Sequence, residues 1–260
     1  MPSKINSTYC KVFLFLLVSI FVSTTSMKCR HENENDCLDT TPTAAAFKVY
    51  EWIEYPEYKT GNLEWVTLYG ETDSIINHTS FQALPGMEMY RWRIGSEAND
   101  RIGRSVSVNF YLNFDTAFGT IPIKLIANKT PNYKCYPLDV PADTVVKNIH
   151  VVTLSQSPLI GKFTGYFEHN PDSIFTIEIK VDSLSPGSCI LSGLQDPKWC
   201  SLTGHKVHIG IGFYMFPIND QCLGGGYGKL DKKTRILTLD YMGNFQWGVM
   251  QHRLFTGTKL

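Results

Sequence analysis

The stretch Asp172-Ser173-Ile174-Phe175-Thr176-Ile177-Glu178-Ile179-Lys180-Val181 decides the fold class. Phe175, Ile177, Ile179 and Val181 fall on one alternating set, and Thr176, Glu178 and Lys180 on the other. Successive side chains of a strand point to opposite faces, so the pattern predicts a strand with one buried and one wet face. The same alternation sets Val106, Val108, Phe110, Leu112 and Phe114 against Ser105, Ser107, Asn109, Tyr111 and Asn113. Further runs with strand character sit at 47–54, 63–69, 88–94, 121–127, 145–154, 162–167, 235–241 and 245–251. Turn-forming clusters divide them: Pro85-Gly86, Asn170-Pro171-Asp172, Ser185-Pro186-Gly187 and Asp231-Lys232-Lys233.

Many short strands, polar turns and almost no helical periodicity predict an all-β fold, a single antiparallel β-sandwich or barrel-like domain over residues 44–260. The proline-rich stretch from Pro131 to Pro141 is either a seam between two halves or a long crossover loop. Residues 27–43 read as a polar N-terminal arm held by its cysteines.

The chain opens with Lys4 and Lys11, an apolar run from Val12 to Val22, and small polar residues to Ser26. That is the order of a secretory signal peptide, and it predicts cleavage near Ser26. The apolar run is about half of the roughly 20 residues a membrane-spanning helix needs. The expected product is secreted and extracellular, without a membrane anchor. Beyond Cys10, the cysteines are Cys29, Cys37, Cys135, Cys189, Cys200 and Cys222, an even set that in an exported chain predicts disulfides rather than a zinc site. Cys189 and Cys200 bracket the turn-rich Ile190 to Trp199 and are the preferred pair; Cys29 with Cys37 and Cys135 with Cys222 would follow, unless Cys29 and Cys37 each reach a different partner. Asn77-His78-Thr79 and Asn128-Lys129-Thr130 are glycosylation sequons, with Pro131 after the second favouring use of Asn77.

Lys plus Arg equals Asp plus Glu at 24 each, which offers neither a nucleic-acid surface nor a polybasic membrane patch. No cofactor motif is present: Gly224-Gly225-Gly226-Tyr227-Gly228 lacks the Gly-Lys-Ser/Thr of a phosphate loop and reads as a tight hairpin or bulge. His205 and His208, three apart on a strand, point to opposite faces and fail as a metal pair. If one strand runs through Val207, Ile209, Ile211, Phe213 and Met215, its other face carries His208, Gly210, Gly212 and Tyr214. Two glycines strip that face of side chains, either for a ligand or for a crowding neighbour. Trp199, in the loop before Cys200, is either a plug over the core or an exposed contact residue.

Short fragments, Gly161 to Tyr166 and Leu239-Asp240-Tyr241, resemble secreted ligand-binding barrels of the avidin and lipocalin kinds. The spacing around them does not follow those families, so no site is carried over. Glu51 and Glu54, three apart, fall on opposite strand faces, unsuited to a glycosidase pair, and no catalytic serine or cysteine signature occurs. The sequence therefore favours a secreted, disulfide-bonded, N-glycosylated and non-catalytic binding protein for an extracellular glycan, lipid or protein, with His208, Gly210, Gly212, Tyr214 and Trp199 at its site. The alternative is an extracellular hydrolase on a β scaffold using Glu168, Glu178 or Asp240.

Overall fold

The computed structural model describes residue 37 and residues 40–59, 62–110, 119–185, 187–194, 207–220, 224–244 and 250–260. Thr41 to Leu260 form one compact unit. Among the described residues, seventeen strands and one short 3-10 turn, Leu154–Gln156, make up its regular structure. The all-β expectation holds, and sandwich and barrel are both present.

The N-terminal part is a sandwich. One sheet holds β1 (Phe47–Lys59), β2 (Asn62–Glu71), β4 (His78–Ala83) and β7 (Ser105–Asn109) in the order β2-β1-β4-β7. The facing sheet holds β3 (Ser74–Ile75), β5 (Met89–Ile94), β6 (Arg101–Ile102), β8 (Gly119–Asn128) and β9 (Ala142–Val151) in the order β3-β9-β8-β5-β6. Their alternating apolar residues meet between the sheets: Phe47, Val49 and Phe81 from one, Trp92, Leu125 and Ile149 from the other. Phe47 meets the Trp92 ring edge-on at 5.2 Å, and the buried indole satisfies its one donor by giving its N–H to the Gly103 carbonyl at 2.7 Å.

The C-terminal part is a single eight-stranded antiparallel sheet: β10 (Gly161–Phe167), β11 (Asn170–Val181), β12 (Cys189–Ser192), β13 (Val207–Ile209), β14 (Met215–Asp220), β15 (Gly224–Leu230), β16 (Ile236–Asn244) and β17 (Met250–Lys259). Its order, β13-β12-β11-β10-β17-β16-β15-β14, brings the first and last strands of the chain segment together through β10 and β17, and leaves β13 and β14 as the two edges of a nearly closed barrel. Eight strands enclose a space that side chains can fill. Phe163, Ile177, Leu191, Phe216, Leu239 and Phe255 fill it, each at 0% exposure. In β11, Phe175, Ile177 and Ile179 are buried as the alternation requires, with Val181 half-buried at the strand end.

Pro131 to Pro141 is the loop of the β8–β9 hairpin, since Asn128 pairs with Ala142. The Asp139 carboxylate holds this loop, accepting the backbone N–H groups of Thr43 (2.7 Å), Asn132 (3.0 Å) and Val140 (3.0 Å). The Asn132 and Thr43 donors hold its pKa below the ordinary aspartate value. The glycine cluster at 224–228 lies in a tight hairpin, as expected: it forms β15, which pairs back on β14 from Asp220 with Gly224 onward and is an interior strand of the barrel sheet. A Cβ at Gly225 would run into the Pro56 carbonyl, and one at Gly228 into the Phe216 ring, so this strand is made of glycine because both of its faces are closely covered.

Candidate functional site

β1 is long enough to serve both parts of the molecule. It pairs with β2 from Tyr50 to Lys59, but with β4 only from Phe47 to Glu51. Beyond Glu51 that second edge has no strand partner among the described residues. The chain between β13 and β14 lies alongside it. Glu51 makes the joint: its carboxyl accepts the backbone N–H of Phe213 at 2.5 Å and of Tyr214 at 2.7 Å. Burial pushes its pKa up to about 8, against the pull of those two donors and of Lys232.

Gly212 makes room for this carboxyl. A Cβ there would collide with Glu51 Oε2 and stand 3.1 Å from the Met215 carbonyl, to which the Gly212 N–H donates at 2.7 Å. The run from Val207 to Phe216 is consequently broken: it is strand in β13, turns at residues 210–214 and resumes as β14. One continuous strand was expected there, and the buried Glu51 is the reason for the break. Val207, Ile209, Ile211 and Met215 are nonetheless buried, and Phe213 is half-buried.

Between the open edge of β1 and this turn runs a groove of about 350 Å³. One wall is Glu51 to Glu54, Trp65, Asn77 and His78; the other is Gly187, Gly210 to Gly212 and Pro217. Trp52 and Trp65 are its aromatic surfaces. The Trp52 ring stacks on His78 at 4.5 Å, and Trp65 is 62% exposed. Gly210 is exposed, and a Cβ built on it would meet nothing within 4 Å. Thus one glycine of the expected pair is open and the other is packed.

The remaining expected site residues disperse. His208 does not line the groove; its Nδ1 lies 3.1 Å from Oδ2 of the buried Asp182 without an aligned hydrogen bond. Tyr214 is half-buried under Lys232, whose ammonium sits 5.0 Å from the ring centre, and its hydroxyl donates to Asp73 at 3.3 Å. Trp199 and His205 lie outside the described residues, as do Cys29, Cys200 and Cys222. Cys189 is a free, fully buried thiol rather than one end of a bridge, and burial pushes its pKa up to about 12. Cys37 and Cys135 are each disulfide-bonded. Asn77 lines the groove and Asn128 ends β8.

None of Glu168, Glu178 and Asp240, the carboxylates weighed for hydrolysis, lines this groove. Glu178 lies on β11 beside Lys180, and Asp240 lies on β16, where His252 Nε2 is 2.6 Å away. Glu168 follows β10, donating its N–H to the Leu254 carbonyl, and Leu254 pairs with Asp240 across the β16–β17 ladder. Glu51 and Glu54 do share the groove, which sequence spacing did not suggest, because the groove wraps around the edge of β1. Three apart on β1, their side chains leave from opposite faces, and the Glu51 carboxyl is taken up by the backbone N–H groups of Phe213 and Tyr214 rather than paired with Glu54. Among the described residues, no three His, Cys, Asp or Glu side chains are placed to hold a metal ion.

Comparison with protein families, with curated proteins and with solved structures returned no match. Fold and groove define the class from within: an all-β protein of a sandwich and a filled, nearly closed barrel, with an open groove along the strand they share.

Proposed function

We propose that the protein is an exported, non-catalytic binding protein whose ligand occupies the groove beside β1. The observation that supports this most directly is the conjunction of two tryptophans with a side-chain-free opposite wall at Gly210, in a volume within the range of small-ligand sites. Among the described residues, the barrel interior is filled by side chains such as Phe163, Phe216 and Phe255. Export and glycosylation rest on the N-terminal segment and the two sequons. A glycan on Asn77 would emerge at the groove, so glycan and ligand would compete for one opening.

The two glycines give the test. The protein is screened, before and after enzymatic deglycosylation, against glycans, lipids and small organic molecules, with tryptophan fluorescence as the readout. Gly210→Phe is expected to abolish binding of any groove ligand while melting within about 0.5 kcal/mol of the parent, as exposed positions usually do. Gly212→Val should instead cost on the order of 1 to 3 kcal/mol, because it strikes Glu51 and the Met215 carbonyl. A ligand that binds Gly210→Phe as tightly as the parent would place the site elsewhere.

A further inference from the structure

We infer, on the groove reading above, that its ligand is a small organic cation, with an ammonium head seated at Glu54 between the indoles of Trp52 and Trp65. The hairpin register places these three groups together. Trp52, Glu54 and Pro56 alternate onto one face of β1, and their partners across the hairpin are Tyr69, Thr67 and Trp65. Directly paired residues share a face, so Glu54 has Trp52 two residues back on its own strand and Trp65 as its diagonal neighbour on β2. All three line the groove.

Charge selects among the occupants this aromatic surface could take. Among the described residues, the groove's ionisable lining is Glu51, Glu54 and His78, without a lysine or arginine. The imidazole of His78 is held by the Asn109 amide oxygen at 2.7 Å and by the Trp52 ring. Glu54 is exposed and makes no ion pair among the described residues, whereas Glu71, at the other end of the same hairpin, is matched by Lys48 at 3.0 Å. Among these described groups a phosphate, a sulfate or a fatty-acid carboxylate would meet the Glu54 carboxylate and no lysine or arginine. An ammonium group meets a carboxylate in front and electron-rich indole faces at its sides, the combination that recognises amines and quaternary ammonium ligands.

Choline and phenethylamine serve as the quaternary and primary probes, with dimethylbutanol and phenethyl alcohol as neutral counterparts of matched shape. Each is titrated into the full-length protein with fluorescence and calorimetric readouts. At least one cation is expected to bind about tenfold or more tightly than its neutral counterpart. Glu54→Gln should erase that preference, and Trp65→Leu should weaken the cation by a similar factor; both positions are exposed, so the melting temperature reports an intact fold. Equal binding of cation and neutral counterpart, unchanged affinity in Glu54→Gln, or no binding of either cation at millimolar concentration would overturn the assignment. The groove reading is separately exposed: a neutral ligand lost in Gly210→Phe but indifferent to Glu54→Gln would retain the groove and sink the cation.

Discussion

At the scale of single residues, the molecule spends its one deeply buried groove carboxyl on architecture. Glu51 is 4% exposed and takes two backbone N–H groups from a segment more than 160 residues away. Burial dominates, so the acid is held mostly protonated at neutral pH. The consequence for stability has a definite sign. A carboxyl whose folded pKa of about 8 exceeds its unfolded value near 4.5 binds its proton more tightly in the folded state. Its contribution is therefore complete below pH 4.5 and is lost as pH rises through 8. Thermal unfolding of the parent should show a melting temperature that falls between about pH 5 and 9. Glu51→Gln removes this component and leaves one backbone N–H without an acceptor, costing about 1 to 3 kcal/mol at acidic pH. The gap between parent and variant should narrow as the pH is raised. A gap that stays constant across this range would mean that Glu51 is ionised in the fold.

At the scale of elements, what the sequence revealed and what it hid have different physical origins. Strands with one wet face declare themselves by alternation, and β1, β2, β5, β8, β10 and β11 all stand where period-two patterning puts them. β15 was hidden because glycine has no hydropathy to alternate: Gly224, Gly225, Gly226 and Gly228 suit a turn as well as a strand whose faces are tightly covered. The break between β13 and β14 was hidden for another reason. Its cause is Glu51, and no local pattern around Gly212 refers to that residue. The groove was legible only in part: Gly210 was singled out on the reading of one continuous strand, although it lies in the break after β13, whereas Trp52, Trp65 and Glu54 line the groove through the placement of β1, to which no local pattern refers. The same packing yields a test at β15. A methyl group at Gly225 meets the Pro56 carbonyl and ring. Gly225→Ala, which in an open strand would be neutral or stabilising, should here cost on the order of 1 to 3 kcal/mol and shift the denaturant midpoint downward. An unchanged midpoint would show that β1 does not lie against β15.

At the scale of the whole molecule, two cores share one strand. Phe47 and Val49 of β1 enter the sandwich core, while Ile53 and Tyr55, on the same side of the same strand, meet Met215 of the barrel. That junction is small, with Val66, Leu68, Tyr214 and Tyr227 around it, compared with the two cores it joins. Each core is large enough to be a cooperative unit, so the coupling between them rests on a few side chains: those of this junction, and Ile76 beside β3, which enters the barrel core. Met215 is the critical one: it is fully buried, and its thioether fills the space beside Gly70 so tightly that a Cβ there would come within 2.9 Å. Met215→Ala should cost about 2 to 5 kcal/mol, as buried methionine truncations do. Because the loss falls at the junction, calorimetry should change from one transition in the parent to two resolved components in the variant, with a calorimetric enthalpy exceeding the van't Hoff value. Groove binding should disappear in parallel, since the groove has one wall on β1 and the other on the turn before β14. A single, merely lowered transition with groove binding intact would mean that sandwich and barrel are coupled elsewhere.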